Sequence, residues 1–202
     1  YGYYKLFETE EDIATWWAKL GREWQITRLS HKPFPSGRLT HACIDAIQRA
    51  RTERAFAPED VESISASVPP LAYRLVGRPD IPDPAPNYAR LCIPFVMATT
   101  LVDGTVEPEA FRPERLRDPA IHAFAARVTV SQDANPDVNA LWPQHVVIRL
   151  KDGWTWDHVI ELPIGHPDNP LSRERNLAKF RKVDALESVA DVRSLAALLV
   201  KR

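Results

Sequence analysis

Cysteine is nearly missing. Cys43 and Cys92 stand far apart and outside any CxxC pair, which excludes zinc-ribbon, thioredoxin-like and disulfide-scaffold designs. A cubane iron–sulfur cluster needs about four thiolates and is excluded with them. Neither sign of charge dominates, since Lys+Arg 26 against Asp+Glu 27 leave a net charge of -1. With no like-charge block to compensate, a phosphate backbone finds no basic field, and no nucleic-acid partner is expected. No run approaches the roughly 18 to 20 uncharged apolar residues of a membrane span, and the aromatic and charged first residues do not read as a signal peptide. The expectation is a soluble, cytoplasmic protein with no membrane partner. Glycine is also scarce. Seven in 202 residues is about half the usual share of roughly 7%, whereas 18 prolines exceed the usual share of about 5%. The loops are stiff more often than flexible.

Hydrophobic residues make up 45% of the chain, enough for a core. Ile13, Trp16, Trp17 and Leu20 fall at i, i+3, i+4 and i+7, so the spacing predicts a helix over Glu10–Leu20 with its tryptophans on the core face. Trp24–Leu29 alternates as a short strand. In HKPFPSGRLTH, Pro33 and Pro35 force extended backbone before Ser36 caps a helix running from Gly37 to about Arg51. ESISASV alternates as a half-buried strand ended by Pro69 and Pro70. Gly77–Asn87 holds four prolines and reads as a rigid loop or the rim of a site. Pro94 opens an apolar, buried helix that stops at Gly104, and Pro113 and Asp118–Pro119 open two more. Val128 and Val130 suggest a strand. Alternation on both sides of Asp152–Gly153 predicts a two-residue hairpin. Ser172 begins a polar helix, and Asp184 with Glu187 resembles a capping box for a last one. The interleaving predicts one α+β domain over 1–202, with a small mixed or antiparallel sheet and packed helices. No GxGxxG or P-loop is present, so nucleotide cofactors are unsupported.

Two places offer chemistry. In the first, the predicted helix start near Gly37 directs unpaired N–H groups at Lys32, with Arg38 in the first turn, an arrangement that favours a small polyanion. His41 and Asp45 stand at i and i+4, where a carboxylate orients an imidazole and raises its pKa. A lysine beside a histidine suits acid–base work next to a carboxylate substrate. The plain alternative is an exposed Lys32 and a helix-surface His41 paired with Asp45. In the second place, Asn87, Tyr88 and Arg90 bring polar groups to the start of the buried helix, where Phe95, Val96 and Met97 fit core packing. Arg90 has a surface ion pair as its own alternative. His122, His145, His158 and His166 form no ligand set, so no metal is expected.

Three segments in order, KPFPSGRLTHACIDA, NYARLCIPFVMATTLVDG with FRPERLRDP, and GHPDNPLSRERNLAKFR, resemble the MmgE/PrpD family, which includes 2-methylcitrate dehydratase and cis-aconitate decarboxylase. The resemblance implies that this chain corresponds to the smaller α+β lid domain, with an N-terminal helical domain as its partner; the start at Tyr1 agrees. The active site is then expected between the domains, with Lys32 matching the lysine of K-x-[aromatic]-P and His41 following by position. Catalytic roles are expected for Lys32 and His41, and substrate contacts for Lys32, Arg38, Tyr88, Arg90 and Phe95. Phe95 stands where many relatives carry an active-site tyrosine, so that hydroxyl is missing unless Tyr88 supplies one. The implied activity is a cofactor-independent lyase for a small di- or tricarboxylic acid, most simply 2-methylcitrate dehydratase-like and homodimeric. Decarboxylation, epimerisation and a non-catalytic dimerisation or anion-binding module are the alternatives.

Overall fold

The computed structural model describes residues 17–184. The chain divides into two compact units, 1–30 and 31–202, each taken by itself. In the first, Trp17–Lys19 make one helical turn and Gln25–Arg28 a 3-10 helix, where alternation predicts a strand. The Thr27 hydroxyl donates to the Trp24 carbonyl at 2.7 Å, a local bond of the kind that competes with strand pairing. Trp17, Leu20, Trp24, Ile26 and Leu29 are all exposed, so the core-facing role expected of Trp17 is not met among the described residues of this unit. The rest of the predicted Glu10–Leu20 helix, with Ile13 and Trp16, lies outside the described residues, as does the segment from Glu187 onward.

In the second unit the sequence forms α1 (His41–Glu53), β1 (Val61–Val68), α2 (Pro70–Val76), α3 (Pro86–Ala89), α4 (Ile93–Asp103), α5 (Pro113–Leu116), α6 (Pro119–Ala125), β2 (Val128–Gln132), β3 (Gln144–Leu150), β4 (Thr155–Ile160) and α7 (Arg173–Asp184). The sheet order is β2-β1-β3-β4. β1 runs parallel to β2 and antiparallel to β3, which is antiparallel to β4, so the α+β, mixed-sheet expectation holds. Register places Ile64 beside Val128 and Ile148, and Ile148 beside Trp156. These apolar residues share one face because side chains alternate across a strand. Ser63, Ser65 and Ser67 take the opposite, partly open face.

Helices cover the apolar face. α1 packs on β3 and β4, α4 packs on α1, α6 and β2, and α2 packs on β2. α4 is buried from Ile93 to Leu101 and ends at Gly104, whose φ of +79 is a left-handed cap. Arg51 donates to the carbonyls of Thr100 and Leu101, binding the last turn of α4 to α1. Trp156 Nε1 donates to Glu53 Oε1 at 2.9 Å, which ties β4 to the end of α1. The predicted two-residue hairpin has three linking residues, because Leu150 N donates to the Trp154 carbonyl. Gly153, at φ +91, supplies the left-handed position of such a turn. α2 was not anticipated, since two successive prolines read as the end of an element; Pro70 instead opens the helix.

The proline-rich loop is pinned to α6. His122 Nδ1 lies 2.6 Å from Asp80 Oδ2 and Nε2 lies 2.9 Å from the Leu116 carbonyl. Both partners are acceptors, so the ring donates twice and carries a proton. Burial alone lowers its pKa, but the hydrogen bonds to Asp80 and Leu116 and the charges of Asp80 and Asp118 outweigh it, and the value rises above 6.5. Below pH 6.5 folded and unfolded rings are both protonated, and the pairing contributes in full. It fades as pH climbs through the folded-state value. Urea midpoints measured from pH 6 to 9 should therefore fall, and Asp80→Asn should flatten the slope. An unchanged slope in His122→Gln would refute the assignment.

Candidate functional site

The segment 31–40 is a strap fixed at three points by partners remote in sequence. His31 N donates to the Gly165 carbonyl at 2.8 Å, and Gly37 N donates to the Arg90 carbonyl at 2.7 Å. Gln144 Nε2 donates to the Leu39 carbonyl at 2.9 Å, while its Oε1 accepts from Cys43 Sγ. Pro33 and Pro35 keep the backbone extended between these points. Thr40 gives its one hydroxyl proton to the Gly37 carbonyl, so the 2.9 Å contact between Ser36 Oγ and Thr40 Oγ1 is donated by Ser36. Ser36 therefore braces Thr40 instead of capping a helix. Residues Arg38–Thr40 form a 3-10 turn, and the α-helix proper begins at His41.

That later start changes the geometry expected of His41. It stands at the first position of α1, 1% exposed, with its ring edge-on to Phe34 at 5.3 Å. It does not pair with Asp45. Asp45 is buried too, and its Oδ2 lies 2.6 Å from an Arg49 guanidinium nitrogen, an ion pair by distance and charge in which no N–H is aligned on Oδ2. Burial is the main force that lowers the His41 pKa from 6.5 to about 4; a backbone hydrogen bond at Ser36 opposes it, and the charges of Lys32, Arg38 and Lys179 then add to the lowering. The sequence expectation of a raised value is thus reversed. His41 Nε2 is buried and has no hydrogen-bond partner; the Ser36 backbone favours the protonated ring but does not outweigh burial.

Three cations, Lys32, Arg38 and Lys179, bear on the imidazole through their charge. Lys32 is exposed on the strap. Its carbonyl accepts from Lys179 Nζ on α7. Arg38 lays its guanidinium over the Trp142 ring at 4.8 Å, and Trp142 meets His166 edge-on at 5.7 Å. None of the ion pairs among the described residues involves Lys32, Arg38 or Lys179. Chemically these are cations without a paired carboxylate whose charge reaches a buried histidine that burial keeps neutral, suited to a small anion with several carboxylates.

The remaining predicted residues gather elsewhere. The Tyr88 hydroxyl donates to the Pro79 carbonyl at 2.7 Å, so it is engaged rather than free to replace a missing phenol. Arg90 lies 4.9 Å over Phe111 and donates to Asn87; it reaches the strap only through its backbone carbonyl. Phe95 is fully buried against Phe111 and His122. A cleft of about 450 Å³ is lined by Gly77, Arg78, Pro79 and Asp80 of the proline-rich segment read as a rigid loop or the rim of a site, with Tyr73 and Pro94 among others, and none of Lys32, Arg38, His41, Tyr88, Arg90 and Phe95 lines it. Among the described residues no group of three or more His, Cys, Asp or Glu side chains is arranged to hold a metal ion, and no helix is long and apolar enough to cross a membrane.

A mixed four-stranded sheet with helices packed on it and a strap carrying Lys32 and Arg38 define an α+β domain. The chain belongs to the MmgE/PrpD family, whose C-terminal domain model matches residues 34–197. That span takes in His41, Tyr88, Arg90, Phe95 and Lys179 and begins two residues after Lys32. A comparison with curated proteins finds no match. Sequence reasoning missed Gln144, Trp142, Gly165 and Lys179. The last two lie in the third family-like segment, where their presence was the available signal.

Gly165 has φ +91, and a Cβ there would sit 2.2 Å from the His31 carbonyl oxygen, whereas Gly104 at φ +79 has open space. Gly104→Ala should cost about 1 kcal/mol from left-handed strain alone, and Gly165→Ala clearly more, with loss of the strap; equal urea midpoints for the two would contradict this. His41 gives a pH signature. Its folded value lies below its unfolded one, so stability is full above pH 6.5 and is lost between 6.5 and about 4, amounting to about 3 kcal/mol. His41→Phe should abolish most of that acid loss in chemical denaturation curves.

Proposed function

We propose that this chain is the substrate-binding domain of a cofactor-independent lyase that eliminates water from a small hydroxy di- or tricarboxylic acid, in the manner of 2-methylcitrate dehydratase. The observation that carries the reading is the set of cations without an ion-pair partner, Lys32 and Arg38 foremost, whose charge bears on the buried His41, itself left with an unpartnered Nε2. Family membership supports it, since hydro-lyases are among the members.

Elimination removes a proton from the carbon next to a carboxylate, turns the C–H electron pair into the new C=C bond, and breaks the C–O bond. The leaving hydroxide takes a proton and departs as water. The charge that builds on the carboxylate as the C–H bond opens is what Lys32 and Arg38 would offset. His41 at a pKa of about 4 is a weak base in the free domain. A polycarboxylate on the strap would cancel the charges that depress it, so ligand binding itself would make Nε2 more basic. An N-terminal helical domain and a second copy of the chain are the proposed partners, in the cytoplasm.

Proton NMR of the full native polypeptide with 2-methylcitrate, citrate or cis-aconitate tests the reading. A new olefinic product is expected, reduced at least a hundredfold in rate by Lys32→Ala. Undiminished turnover in that variant would remove Lys32 from the site. Carbon dioxide released from cis-aconitate would assign decarboxylation instead. Binding of these acids without turnover would favour an anion-binding module, a reading to which the buried Phe95, without a hydroxyl, also points.

A further inference from the structure

α7 is polar and carries Arg175 and Lys179 four residues apart, which places both on one helical face. Two separate contacts turn that face toward the body of the domain. Arg175 Nη2 donates to Gln48 Oε1 on α1 at 3.3 Å, and Lys179 Nζ donates to the Lys32 carbonyl on the strap. Ser172 fixes the start of the helix, its hydroxyl accepting from Arg175 N. The Lys179 ammonium has three N–H donors, and one is assigned to Lys32. The other two face no carboxylate in an ion pair among the described residues. A surface strut would gain from an acidic neighbour. Here the ammonium sits on the strap itself and adds its charge to those of Lys32 and Arg38 on a histidine whose Nε2 is buried and unpartnered, an arrangement that raises repulsion unless an anion offsets it.

We propose that Lys179 is a substrate-binding residue: α7 lays its ammonium over the strap, where it and the Lys32 side chain grip two different carboxylates of one ligand. The proposal rests on the polycarboxylate reading of the strap and narrows it. A ligand with a single carboxylate would use Lys32 or Arg38 and have no need of Lys179, so α7 sets a preference for di- and tricarboxylates. It also explains why Lys179 grips a backbone carbonyl. That bond fixes the ammonium's position without neutralising its charge.

The test uses the full chain, with tricarballylate and acetate as probes and the His41 ring proton followed by NMR. In the unaltered chain tricarballylate should raise the His41 titration midpoint. Lys179→Met should weaken tricarballylate binding at least tenfold, leave acetate binding unchanged and raise the ligand-free His41 midpoint, while Lys179→Arg should restore affinity. The His122 resonances report whether each variant keeps its fold. If Lys179→Met binds tricarballylate normally while Lys32→Met does not, the role of Lys179 is overturned and the strap reading stands. Loss of acetate binding as well, or loss that Arg does not repair, makes Lys179 a strut and also overturns the proposal. If neither variant differs from the unaltered chain, or the unaltered chain takes up no tricarballylate, both readings fall.

Discussion

The close approach of two backbones at His31 and Gly165 is the constraint on which the site depends. Only a residue without Cβ fits at 165, where a side-chain carbon would overlap the His31 carbonyl oxygen. The hydrogen bond made there sets where the strap begins. Gly37 on the Arg90 carbonyl and Leu39 on Gln144 then set where it ends. With both ends fixed, His41 has to enter the helix at its first position and point inward. Its chemistry follows from backbone contacts far from the ring.

Two histidines in the same unit illustrate how surroundings decide protonation. His122 has an acceptor on each nitrogen and a carboxylate beside it, so the charged ring is favoured. His41 has a buried ring, no paired carboxylate and three cations whose charge bears on it, and the neutral ring is favoured. One acts as a fixed double donor tying a loop to a helix. The other keeps an unpartnered nitrogen in reserve within reach of three positive charges. Neither behaviour follows from the residue type.

Much of the fold was legible in the sequence. β1, β2, the β3–β4 hairpin, the buried α4 and the proline-led α5 and α6 all follow from alternation, apolar runs and turn chemistry, because those signals are local. The errors came where one short-range contact displaced another that the spacing equally allowed, or where a pattern had no partner to pair with. Trp24–Leu29 alternates yet turns as a 3-10 helix with exposed Trp24 and Ile26, since no strand among the described residues pairs with it. Ser36 looks like a cap yet braces Thr40. Asp45 sits at the right spacing for His41 yet serves Arg49. In the site, Lys32, Arg38 and His41 were legible as a group, but Gln144 and Lys179 were not. They lie more than a hundred residues away in the chain, and nothing in the local pattern of either announces the strap.

The prolines have a consequence beyond marking loops. Pro33 and Pro35 lie in the strap, and Pro79, Pro82, Pro84 and Pro86 lie in the run that ends in α3 beside Arg90. Each proline narrows the conformations open to the unfolded chain, so less backbone entropy is surrendered when these segments order. The strap and the loop that abuts it through Gly37 and Arg90 are therefore near their final shape before any ligand arrives. An incoming anion meets a preformed surface, and its interaction energy appears as affinity instead of being consumed in arranging the chain.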